Sequence, residues 1–154
     1  MRYAHCLVVI VGVMLAAGAP GAQSADTYKA RLGIAPTDAN NQPFITGSGA
    51  ITAVLRGARL SVTGTFEGLQ TAATTARVHL GPKGIRGAAI LDLTVTKATA
   101  GTLQGELTLT AAQVDHLKRT RLYVQVNSEK AADGNLWGWL LRADCSRPLP
   151  TRDS

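Results

Sequence analysis

Along most of the chain apolar residues recur at every second position, in short runs broken by glycine. A period of two is the mark of a β-strand with one buried and one wet face. The runs are TYKARLGI from Thr27, GSGAITAVLRG from Gly47, ARLSVTGTFEGL from Ala58, TTARVHLG from Thr74, AAILDLTV from Ala88, GTLQGELTLT from Gly101, RLYVQVNS from Arg121 and NLWGWLLR from Asn135. Eight short strands are therefore predicted. In the third, Leu60, Val62, Gly64 and Phe66 point inward while Arg59, Ser61, Thr63 and Thr65 face water. Gly57 in VLRGARL can take positive φ between two alternating runs, which predicts a hairpin.

The period changes only in TAAQVDHLKRT. There Thr110 stands as an N-cap with Gln113 three residues on, a capping box, and Ala111, Val114 and Leu117 share one helical face. One short helix is predicted between two strands. The loop APTDANNQPFITG, rich in Pro, Asn and Asp, is expected to be exposed and mobile. Without a regular alternation of strands and helices, the pattern predicts an all-β, antiparallel two-sheet sandwich of about eight strands.

The first residues break the pattern in another way. Arg2, an apolar run from Leu7 to Ala17 and the small residues of AAGAPGAQSA describe an export signal, and the run is too short to span a bilayer. Cleavage after Ala22-Gln23-Ser24 places the mature start near Ala25. The expected layout is a signal over 1–24, a single domain over 25–142 and a polar tail over 143–154, in a protein that is periplasmic or extracellular. Cys6 precedes the apolar run and so is no lipid-attachment site. Cys145 is then the lone mature cysteine, which leaves no internal disulfide and opens an intermolecular one.

The formal net charge of +6 falls to +5 without Arg2, and the basic residues are scattered apart from Lys118, Arg119 and Arg121. That distribution argues against nucleic acid as a partner and leaves room for a weak attraction to anionic polysaccharide or lipid headgroups.

From Tyr28 to Leu140 the chain resembles the CHRD family, the domain named after chordin. The resemblance is carried by YKARL, GSGAITAVLRGARLSVTGTFEGL, TARVHLGP, GTLQGELTLTAAQVDHL, LYVQVNS and DGNLWGWL, in that order. It implies an immunoglobulin-like or superoxide-dismutase-like β-sandwich with no established catalytic activity. Three motifs depart from the family. Where relatives read A-H-I-H-G-P this chain has Arg77 before His79. Where they read V-N-V-H-T it has Gln125 and Asn127, and where they read G-E-I-R-G-Q-L it has Asn135, Trp137 and Trp139.

These departures bear on the chemistry. A zinc or copper site needs about three or four donors. His79, with Asn127 and Asn135 expected as neighbours and the Arg77 guanidinium on its own strand face, falls short. No metal, cofactor or catalytic residue is assigned. Arg77 and His79 are instead a candidate anion contact, helped by the backbone of GPKGIRG, which lacks the G-K-[ST] of a phosphate loop. Asp92 and Glu106 are expected to be separate surface acids. Strand alternation puts Leu136, Gly138 and Leu140 on one face of NLWGWLL and Trp137 and Trp139 on the other, about 7 Å apart. The two tryptophans are the candidate contact for a polysaccharide or a partner protein. Coverage by the C-terminal tail, or self-association through Trp137 and Trp139 or through Cys145, is the competing expectation. The reading reached is an exported, non-enzymatic interaction module. The alternative is a metal-dependent redox or hydrolytic enzyme of superoxide-dismutase-like shape.

Overall fold

The computed structural model describes residues 24–36 and 42–143. The export signal with Cys6, the middle of the Pro- and Asn-rich loop at 37–41, and the tail from Cys145 onward lie outside the described residues.

The strands are β1 (Ala25–Ile34), β2 (Ser48–Arg56), β3 (Arg59–Glu67), β4 (Ala73–Leu80), β5 (Ala88–Val95), β6 (Gly101–Thr108), β7 (Leu122–Ser128), β8 (Ala131–Trp139) and the two-residue β9 (Leu141–Arg142). The helix α1 (Ala111–Lys118) lies between β6 and β7. Each of the eight predicted runs forms a strand, and every pairing is antiparallel.

The architecture differs from the predicted sandwich. The order β1-β2-β3-β6-β5-β4-β7-β8 returns to β1, so the strands close into an eight-stranded antiparallel barrel. Two strands make the closure by changing partners along their length. In β1, Ala25 to Leu32 pair with β2, whereas Gly33 and Ile34 pair with β8. In β5, Ala88 to Leu93 pair with β4, whereas Thr94 and Val95 pair with β6. Alternation of inward and outward residues is the same in a sandwich and a barrel, so the period alone could not separate them. Closure removes the open edges that a two-sheet arrangement would leave.

β9 continues β8 along β1 in the same register, with Gly33 opposite Trp137 and Tyr28 opposite Arg142. Between them the Leu140 N–H turns back to the Leu122 carbonyl at 3.0 Å.

The interior is filled by the inward residues. Leu60, Val62 and Phe66 of β3 are buried as the alternation predicts, together with Tyr28, Ile51, Val78, Leu103, Val124 and Leu136. Each fully buried Leu, Ile or Val stabilises the fold by roughly 1.5–3 kcal/mol relative to exposure. The hairpin at Gly57 is present, with Arg56 opposite Arg59 and Gly57 at φ 60° in the first turn position, the conformation a type II′ turn requires. The capping box of α1 is present too: Thr110 accepts from the Gln113 N–H at 3.2 Å, and Gln113 Oε1 accepts from the Thr110 N–H at 2.9 Å. Leu117 enters the core and Val114 is half-buried, but Ala111 is exposed, so the helix offers a narrower face than predicted.

In the first loop, Gln42–Phe44 form a short 3-10 turn and Ile45 is buried, which anchors this end of the loop. Among the described residues no helix is long and apolar enough to cross a membrane.

Candidate functional site

The outer face of β4, β7 and β8 gathers the residues that the sequence singles out. Register places them in two rows. One runs His79, Tyr123, Trp139 and the other Arg77, Gln125, Trp137, each row crossing the three strands. Inward partners Val78, Val124 and Leu136 fill the barrel behind them, so the rows are held by a rigid wall.

The rings form one cluster. His79 stacks on Tyr123 with centroids 5.0 Å apart, Tyr123 meets Trp139 at 4.7 Å, and Trp137 meets Trp139 edge-on at 4.6 Å. The expected open pair of indoles about 7 Å apart is thus replaced by a packed contact, because the side chains lean together above the strand. Tyr123 is wholly buried, Trp139 is 9% exposed and Trp137 is half-buried.

The cover comes from the loop between β4 and β5, residues 81–87. Gly87 donates to the Tyr123 hydroxyl at 2.9 Å, His79 Nδ1 donates to the Gly87 carbonyl at 3.0 Å, and the Trp139 indole N–H donates to the Gly81 carbonyl at 3.1 Å. Two glycines make the fold-back possible. A Cβ on Gly87 would stand 1.7 Å from the Leu80 carbonyl oxygen, and one on Gly81 would stand 2.6 Å from that of Ile85. The GPKGIRG segment is therefore a strap over aromatic rings. Arg86 pins its far side: the guanidinium donates to the carbonyls of Asp133 and Pro36 and lies 6.0 Å from the centre of the Trp137 ring. Because these partners are neutral carbonyls, the positive charge beside Trp137 is not cancelled by them.

The candidate anion pair is divided. Arg77 points to Asp92, with Nε and Oδ1 2.8 Å apart and the two side chains 46% and 81% exposed, so the pair contributes little to stability. His79 turns instead to the strap. Its bond to a carbonyl requires a proton on Nδ1 and fixes the orientation of the ring. Its neighbours are Tyr123 and Gly87 rather than the expected Asn127 and Asn135. Asn127 bonds Gln125 at 2.9 Å, and the buried Asn135 accepts from Ser128 at 3.2 Å while donating to the Thr46 carbonyl at 2.8 Å. Register puts Tyr123 and Trp139 beside His79, whereas Asn127 and Asn135 lie four residues farther along β7 and β8, two rows away on the same strands. Among the described residues no three His, Cys, Asp or Glu side chains converge. Asp92 and Glu106 are both exposed and take different partners, Asp92 pairing with Arg77 and Glu106 accepting from Ser61 at 2.8 Å.

Sequence reasoning left out Tyr123, the ring that joins His79 to both tryptophans, and Arg86, the strap residue nearest Trp137. Tyr123 had a signal: it alternates with Leu122 and Val124 inside an apolar strand, so its polar tip needed a partner outside the barrel. For Arg86 no local pattern existed, since its partners Pro36 and Asp133 are distant in sequence.

Comparison with known proteins adds one finding. No curated protein and no solved structure matched. The family model for the CHRD domain matches residues 32–140, from the inward Leu32 of β1 through all the strands of the aromatic face, and the chain belongs to the CHRD domain family.

Proposed function

We propose that this protein is an exported, non-enzymatic module that works through surface contact, with Trp137 as the contacting ring. One observation carries the reading. Of the four rings on the β4–β7–β8 face, Trp139 and Tyr123 are enclosed by the strap, whereas Trp137 stays half-exposed beside the Arg86 guanidinium. An indole is worth more buried than wet, so a partner that covers it gains what the strap has already gained at its neighbour. The polar groups around it support contact more than chemistry, because Arg77 and Asp92 neutralise each other and His79 is engaged with the strap.

The test is a tryptophan fluorescence titration with soluble envelope polysaccharides and with purified envelope proteins. A saturable shift that Trp137→Ala removes is expected; no shift with any of them would end the proposal. Metal analysis of the same preparation addresses the enzyme alternative. Stoichiometric zinc or copper lost in His79→Ala would replace the contact reading with it.

A further inference from the structure

We infer that the space over Gly33, between the Trp137 indole and a polar depression on β1, β2 and β3, binds a pyranose unit of a polysaccharide. The inference rests on the contact reading above and names its ligand class.

β1 is the strand on which the barrel turns its corner, and Gly33 is the residue at the turn, directly opposite Trp137. Tyr28, Ala30 and Leu32 are buried while Lys29 and Arg31 are exposed, so the missing side chain of Gly33 would stand on the outer face beside the indole. A Cβ built there meets no atom within 4 Å among the described residues. The other sides of the indole are occupied by Arg86, Trp139 and Tyr123. On the β1 side its opposite residue is Gly33, which places no side chain against it.

Beyond Gly33 the outer face continues into a depression of about 300 Å³ whose polar lining includes Arg31, Ser48, Thr65 and Glu67. That is the lower end of the range for small-molecule sites. Register keeps these groups on one face, with Arg31 opposite Ala50, Ala50 opposite Thr65 and Ser48 opposite Glu67. Thus a flat apolar ring stands opposite Gly33, and a donor, an acceptor and two hydroxyls line the depression that begins at Arg31, two residues back along the same outer face of β1.

A pyranose matches both. Its C–H face packs on an aromatic ring, and its hydroxyl rim exchanges hydrogen bonds with charged and hydroxyl groups. A purely apolar ligand would leave Arg31 and Glu67 unmatched, and a small inorganic ion would gain nothing from the indole.

Gly33 also supplies a test that spares the aromatic cluster. With no described atom within 4 Å of the added Cβ and ordinary strand φ, Gly33→Val fills the space beside the indole without a clash among the described residues. Calorimetric titration of the full chain with cellohexaose, chitohexaose and hexagalacturonic acid should show binding of at least one. Gly33→Val should weaken that binding about tenfold or more with a melting temperature no lower than that of the wild type, and Arg31→Ala should weaken it as well. Binding that Trp137→Ala abolishes but Gly33→Val leaves intact would overturn the site over Gly33 and keep the contact reading. Failure of all three sugars, with a purified protein still shifting the Trp137 fluorescence, would overturn the saccharide assignment alone. Silence from both kinds of ligand would sink both.

Discussion

Two outer faces of one barrel have opposite fates. On β4, β7 and β8 the outward residues are His79, Tyr123, Gln125, Trp137 and Trp139, and a seven-residue strap lies over them. On β2, β3 and β6 the outward residues are Thr52, Thr63, Thr65, Thr102 and Gln104, all exposed. Strand alternation is the same on both. The difference lies in the connections: β2 and β3 join through the two-residue turn at Gly57, which can cover nothing, whereas the link from β4 to β5 is long enough and has the glycines to fold back. A loop that can return lets an outward position become a second, smaller core, and one that cannot leaves it wet.

The strongest way to break this comparison is to remove a ring from the covered face. Trp139→Ala deletes a nearly buried indole together with its bond to the Gly81 carbonyl. A loss of about 3–5 kcal/mol is expected, the range for large aromatic truncations in a core, measured by urea unfolding. A loss within about 0.5 kcal/mol, the scale of surface substitutions, would mean that the strap stabilises nothing.

Next in size is the strap itself. Gly87→Ala forces a methyl into the space of the Leu80 carbonyl, so the backbone must shift and the bonds from Gly87 to Tyr123 and His79 must loosen. A cost of about 1–3 kcal/mol follows, as for other overpacked sites. The sharper readout is acrylamide quenching of tryptophan, which should rise as Trp139 is uncovered. Unchanged quenching would place the cover elsewhere.

The contrast also explains what the sequence could and could not reveal. Inward residues such as Leu60, Val62 and Leu136 were legible because a period of two states which side meets the core, and the Thr110 capping box was legible because it is local. Closure of the barrel was not, since it depends on β1 and β5 changing partners, an event that no single strand's pattern records. The tryptophans were legible as an excess of apolar surface on a face expected to be polar. Their cover was not, because Arg86 and the Gly81 carbonyl reach them only after the loop has folded. The glycines of GPKGIRG carried the one clue, and they read equally well as an ordinary turn.

Two buried tyrosines sharpen the comparison at a smaller scale. The Tyr123 hydroxyl is bonded to Gly87, whereas the Tyr28 hydroxyl, inside the barrel, has no partner among the described residues. Tyr123→Phe should therefore cost about 1 kcal/mol, and Tyr28→Phe should be neutral or stabilising by up to about 1 kcal/mol, because an unpaired buried hydroxyl costs rather than contributes. Burial, reinforced by Asp26 and opposed by Arg142, raises the Tyr28 pKa above its usual value. The folded state thus holds the phenolic proton more tightly than the unfolded chain. This contribution is complete below about pH 10, the unfolded value, and is lost as pH rises through the folded one. Wild type should weaken in that window more steeply than Tyr28→Phe in urea titrations; equal slopes would mean that the phenol is hydrated.

The smallest expected effect is on the wet face. Thr63 faces Thr52 and Gln104 across its two neighbours, and its hydroxyl approaches the Thr52 carbonyl only at 3.5 Å, the outer limit of a hydrogen bond. Thr63→Val keeps the β-branched shape that suits a strand and exchanges an exposed hydroxyl for a methyl. A change within about 0.5 kcal/mol is expected. If instead Thr63→Val cost as much as Trp139→Ala, the threonine face would have to be covered in solution, and the asymmetry between the two sides of the barrel would reflect an absent partner and not the length of its loops.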